Sequence, residues 1–355
     1  MATIYILQKL LSIIILFKFK SLYSFLCLFL FFVIFFFKAD SYDIGGYTTL
    51  ASAPGVFELF YSGTIDVISS FVADNRTVIY IYQLLFVCVA SSIIFFFKEN
   101  RFLILAILLS SVAIMLGVHN NLRQGSAALC MLLGIISHMQ GYKKTGILFI
   151  LASLGFHSAS IFFIIIISIL GIIYKFFIPK SNTQMYYIYI LTFLLVLAST
   201  ILISIIISSS GSEVIIHGRT KAVINLPFTE FGRADFGKYF GMDLVTDYSH
   251  RVNHRLKMLI LFLFWLVTEF LIKFRSVDRQ VDFLRYLRQF FLFFVVFLSF
   301  FSSFNEIGNR ILYMYYVIEM GLLCFFIDRK MFKITVFILI GYGFAFNVWT
   351  ILGGI

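Results

Sequence analysis

Charge is what this chain has least of. Only 13% of its 355 residues are charged, against 61% hydrophobic, and the mean hydropathy is +1.00. A water-soluble domain of this length exposes too much surface to hide that apolar content, which excludes the soluble enzymes as a class. Lipid accepts it, provided every backbone N–H and C=O is paired inside the protein, so apolar runs of roughly 20 residues read as helices.

Cysteine is scarce and badly placed for chemistry. Cys27, Cys88, Cys130 and Cys324 lie inside apolar runs with no CxxC or Cys/His spacing, and read as small packing residues that form neither disulfides nor a metal site. The usual catalytic signatures are missing too: no HExxH, no P-loop, no GxSxG, and no GxGxxG opening a helix after a strand. Neither long hydrophilic stretch offers a set of acidic metal ligands, so no metal and no cofactor are expected. The first segment lacks an A-x-A cleavage pattern and reads as retained membrane structure. The two halves do not repeat one another as those of many transporters do.

What is present is phenylalanine, at 47 positions, a residue suited to lipid contact without carrying chemistry. Apolar runs fall at about 4–17, 21–37, 77–97, 102–118, 122–139, 145–156, 158–174, 185–207, 256–273, 289–304, 308–327 and 334–351. The predicted fold is all-α, a polytopic transmembrane bundle of about 11–12 spans in a single membrane domain over 1–355. The stretch 145–174 is too long for one crossing, and a break at Gly155-Phe156-His157-Ser158 makes it a helical pair.

The net charge of +11 does not point to nucleic acid, because the basic residues are scattered between apolar runs in the positive-inside manner. Lys18 and Lys20, Lys98 and Arg101, Lys143 and Lys144, Lys175 and Lys180, Lys273 to Arg288, and Arg329 to Lys333 fall at alternate turns. All six share one side only if 4–17 and 21–37 both span and 145–174 is a helical pair. Two sizeable loops, 38–76 and 208–255, then fall on the outer side.

Polar residues kept near that outer side are the candidates for function. In Asn120-Asn121-Leu122-Arg123-Gln124-Gly125, an asparagine caps the next helix and Arg123 lies in its first turn. A helix N-terminus already favours anions, and an arginine there adds a bidentate fork suited to phosphate oxygens. Snorkelling to lipid headgroups is the competing reading. His157, at the break of the helical pair, is either a packing residue or a diphosphate ligand or base. Arg310 repeats the Arg123 arrangement in Asn305-Glu306-Ile307-Gly308-Asn309-Arg310, with pairing to Glu306 as its alternative. Asp40, Asp43 and Tyr47 lie in the first loop around Gly45-Gly46, either solvated or anchoring sugar hydroxyls. Glu319 sits inside an apolar run, where an acid is a functional candidate by default or a protonated group bonded within the bundle. Asn120, Gln124, Tyr47 and Arg255 complete the candidate substrate-binding set.

The run Asn121-Leu122-Arg123-Gln124-Gly125-Ser126-Ala127, followed by Gly134, Lys143 and Phe156-His157-Ser158-Ala159, resembles the EpsG/Wzy-like family of bacterial polysaccharide polymerases. Asp43-Ile44-Gly45-Gly46-Tyr47 and Asn309-Arg310 with Tyr313 are similar to two further motifs of that family. The leading glycine of the first is absent, and Lys38 stands where an arginine is common. The specific motifs cover about 110–160, and the 208–255 loop is unmatched.

The resemblance implies a multi-pass protein of the bacterial inner membrane. Such proteins join undecaprenyl-diphosphate-linked oligosaccharide repeat units, donor to acceptor, at the outer face of that membrane, building O-antigen, capsule or exopolysaccharide. It further implies Arg123 and Arg310 on the departing diphosphate, with His157 or Asp43 as base. The partners are membrane lipid and the lipid-linked glycan, with a chain-length regulator as a candidate and no nucleic acid. Two alternatives stay open: a flippase or transporter for a lipid-linked glycan, and a membrane acyltransferase or ligase acting on surface sugars.

Overall fold

A computed structural model describes residues 11–37, 45–48, 58–119, 122–157, 160–176, 212–216, 219–223, 260–269, 271–272, 279–301 and 305–341, with Tyr187 and Leu194. Apart from turns, these residues are helical except for one antiparallel hairpin, β1 (Ser212–Ile216) and β2 (Arg219–Val223), in which Ser212 pairs with Val223 and Ile216 with Arg219. The hairpin falls in the second hydrophilic stretch, where no strand was expected.

The helices are α1 (Lys20–Phe37), α2 (Leu59–Ser69), α3 (Asn75–Ser91), α4 (Arg101–Leu109), α5 (Val112–His119), α6 (Leu122–Met139), α7 (Lys143–Phe156) and α8 (Ser160–Phe176). After the hairpin come α9 (Ile260–Glu269), α10 (Arg279–Phe301), α11 (Asn305–Asp328) and α12 (Phe332–Gly341). Among the described residues two helices are long and apolar enough to cross a membrane, Asn75–Phe96 and Ile311–Asp328, and shorter apolar helices run through α1, α8, α9 and α12.

Three expectations are corrected. The run at 102–118 is two helices. At the joint Ser110 Oγ donates to the Ala106 carbonyl at 2.6 Å, while Ser111 Oγ accepts from the Ile114 amide at 3.2 Å, so side chains take over backbone partners and the helix bends. The first loop contains α2, whose Tyr61, Ile65 and Ile68 form a buried face at helical spacing. Finally, Arg285 and Arg288 are not turn residues: α10 begins well before its apolar stretch and carries both into the interior.

Helices α6 and α11 form the centre, each buried on nearly every side. Small residues allow this. Gly134 of α6 and Gly146 of α7 face each other so closely that a Cβ on Gly134 would stand 2.8 Å from the Gly146 carbonyl oxygen, and helices approach to that distance only where both lack side chains.

The basic turns gather at one end. Asn100 Nδ2 donates to the Ile327 carbonyl at 3.1 Å, and Lys330 pairs with Glu99 at 2.9 Å. Lys20 Nζ lies 3.7 Å over the Phe332 ring, and Phe96 meets Tyr142, the residue before Lys143, at 6.1 Å between rings. Four of the six basic clusters are thereby brought together. Helix α6 runs from that end to the other, about 27 Å away at 1.5 Å per residue.

Candidate functional site

At the far end of α6, three separate stretches of chain converge on one carboxylate. Glu58 stands immediately before α2 with extended backbone (φ −63°, ψ 151°). Its Oε2 accepts from Arg123 Nη1 at 2.9 Å, and its Oε1 lies 3.3 Å from His157 Nδ1. Glu58 and Arg123 keep 16% and 28% of their side chains exposed, and His157 only 9%, so the cluster opens to solvent on the arginine side.

Local sequence explains each placement. Arg123 is in the first turn of α6, held at its position because Gly125 lets α6 touch Gly117 of α5. His157 ends α7 in extended backbone, its N–H bonded to the Ser153 carbonyl at 3.1 Å and its own carbonyl accepting from Ser160 at 3.0 Å. Gly155, just before, leaves room for the ring of Phe60, which also meets Phe156 edge-on at 5.8 Å. Phe60 anchors α2 against α7 and so aims Glu58 at the histidine.

Behind the ion pairs runs a column of tyrosines. The rings of Tyr47 and Tyr61 are 5.8 Å apart, and those of Tyr61 and Tyr82 are 5.0 Å apart. Tyr82 Oη and Ser126 Oγ share a hydrogen bond of 2.6 Å. Tyr47 lies beside the Arg123 guanidinium. Burial pushes the Glu58 carboxyl upward, but the His157 contact and the Arg123 charge outweigh it and hold the group down at about 2. Glu58 is therefore an anion at neutral pH, too weak a base to take a hydroxyl proton.

The sequence-predicted residues fare differently. Arg123, His157 and Tyr47 come together. Gln124 is half-buried in the same first turn. Arg310 lies on α11, one turn ahead of Tyr313, whose hydroxyl donates to the Ala113 carbonyl of α5 at 2.6 Å; only its backbone is described. Asn120, Asp43 and Arg255 lie outside the described residues, as does Asp40. Glu58 was missed. Its signal was an isolated acid just ahead of an amphipathic run, and that signal said nothing of its partners.

A second polar cluster lies deeper. Arg288 of α10 pairs with Glu319 of α11 and, at 3.3 Å, with Glu269 of α9. Arg285 bridges Glu269 at 2.5 Å and Asp282 at 2.9 Å. Glu319 is thus an ion-paired acid, and Arg288 between Glu319 and Glu269 ties α9, α10 and α11 together. Among the described residues no group of three or more His, Cys, Asp or Glu side chains could hold a metal ion, and none of the four cysteines is in a disulfide.

Comparison with protein-family models, with curated proteins and with solved structures finds no match to this chain. The reading of function therefore rests on the residues and their geometry.

Proposed function

We propose that this chain is a multi-pass enzyme of the bacterial inner membrane. It would transfer a growing glycan from its lipid-diphosphate carrier onto the hydroxyl of the next lipid-linked repeat unit, at the outer membrane face. The observation that carries the reading is the meeting of Arg123 and His157 at one end of α6, with basic turns collected at the other. Lysine- and arginine-rich turns favour the cytoplasmic side, which supports an outer-side position for the Arg123 cluster.

The chemistry needs little more than this. As the anomeric carbon–oxygen bond breaks, negative charge collects on the leaving diphosphate. An arginine at a helix start stabilises that charge more in the transition state than in the ground state. Arg123 is the first such group, and Arg310, near the start of α11, is the second. The acceptor hydroxyl loses its proton to His157 as its oxygen attacks. No activating nucleotide is required, because the donor already carries a good leaving group. Asp43 is the alternative base.

The decisive experiment replaces Arg123 with Ala and separates surface glycan by length. Loss of long chains with single units retained supports the reading; wild-type lengths at normal protein abundance overturn it. One observation favours a second reading, a flippase: the Arg285, Arg288, Glu269 and Glu319 cluster places charge deep in the bundle, as a transport path requires. A deletion strain separates the two, since a flippase defect strands repeat units on the cytoplasmic leaflet while a polymerase defect leaves them outside.

A further inference from the structure

Glu58 contacts two different partners through two different oxygens, and that division has a chemical consequence. Arg123 has only donors, so Oε2 must accept from it. Oε1 faces His157 Nδ1. Of the neutral tautomers, the one with its proton on Nδ1 is attracted to this oxygen, and the other sets a lone pair against an anion. At 3.3 Å the two atoms are in electrostatic contact without the geometry of a hydrogen bond, and contacts of this kind often close only when substrate arrives.

We infer that Glu58 is a positioning residue, which holds the proton of resting His157 on Nδ1 so that Nε2 carries the lone pair that receives the acceptor's proton. This rests on the polymerase reading above. In the step, the acceptor O–H proton goes to Nε2 and the acceptor oxygen forms its bond to the anomeric carbon. The bond from that carbon to the diphosphate oxygen breaks, and the lipid diphosphate leaves with the electron pair. The imidazolium left behind sits against the Glu58 carboxylate, which remains ionised. Among the described residues, the charged or titratable groups beside Glu58 are Arg123 of α6 and Tyr61 of α2, with Tyr47 against both of these and Tyr82 of α3 behind Tyr61.

The arrangement makes Glu58→Gln a sharper probe than a truncation. Arg123 claims the amide oxygen, because it can only donate. The amide NH2 is then turned toward His157 Nδ1, which must accept, and the ring proton is driven to Nε2. The base is blocked with its shape intact.

The test uses the full-length protein in lipid vesicles and the native lipid-linked repeat unit, extracted from a strain lacking this chain. For Glu58→Gln we expect kcat to fall about 100-fold or more, the usual share of a general base, with KM within about threefold of wild type. Imidazole 15N shifts of His157 should read Nδ1–H in wild type and Nε2–H in the variant. Wild-type kcat in Glu58→Gln, while Arg123→Ala is inactive, overturns the inference and spares the polymerase reading. Full chain growth in both Arg123→Ala and His157→Ala ends the polymerase reading itself. Should Glu58→Gln fail to accumulate, the wild-type shifts alone decide, and an Nε2–H ring there overturns the inference.

Discussion

Gly117 and Gly125 meet backbone to backbone. A Cβ on Gly125 would collide with the Gly117 Cα and stand 3.0 Å from its carbonyl oxygen, while a Cβ on Gly117 would stand 2.9 Å from the Tyr313 hydroxyl. This contact, two residues after Arg123, fixes the position of the first turn of α6, so the glycine of the N-x-R-Q-G stretch holds the arginine in place without touching any ligand.

Gly125→Ala therefore forces α5 and α6 apart. Overpacking of this kind costs about 1–3 kcal/mol, and the shift carries Arg123 away from Glu58. Gly63→Ala on α2, where nothing lies within 4 Å of the added carbon, is the matched control, expected to be neutral or to stabilise by up to about 1 kcal/mol. Thermal unfolding in detergent measures both, and equal melting temperatures would remove the argument.

Arg123→Lys keeps the charge and loses the planar fork. With the guanidinium contributing as an oxyanion donor does, we expect chain growth to fall about 100-fold in the vesicle assay, with single-unit glycan unaffected. Growth within a few-fold of wild type would mean that a point charge suffices.

The ion pairs of Glu58 make stability depend on pH with a definite sign. The folded carboxyl sits at about 2 against an ordinary 4.5. Its contribution is therefore fully present above about pH 4.5 and is lost as pH falls from there toward 2. Melting temperature should drop over that window in wild type and drop less in Glu58→Gln. Identical acid profiles would show that the carboxylate is not stabilised in the fold.

The deep cluster is tested by charge balance. Glu319→Leu leaves the more distant Glu269 as the remaining acid beside buried Arg288 among the described residues, and breaking such a pair costs about 3–5 kcal/mol. Adding Arg288→Leu restores part of the loss, because Glu269 keeps Arg285. Chemical denaturation in detergent measures the stability difference. Chain growth by the double variant should stay at wild-type level if the cluster is structural; loss of repeat units from the outer leaflet favours the transport reading instead.

Composition alone pointed to helices in the apolar runs, and the described parts of those runs are helical, as expected where a backbone has few other ways to satisfy its polar groups. Single runs set α6 almost to the residue and the α7–α8 break at His157. Local chemistry also exposed Arg123, because a cation at a helix start is unfavourable without an anion nearby. Only the tertiary structure supplied that anion. Glu58 lies 65 positions from Arg123 in the chain, and no periodicity relates residues so far apart. The same holds for Glu269, Arg285, Arg288 and Glu319: each is a costly charge in an apolar setting, and their mutual neutralisation exists only once α9, α10 and α11 are side by side. Burial can be read from one stretch of sequence at a time; pairing depends on which stretches the fold brings together.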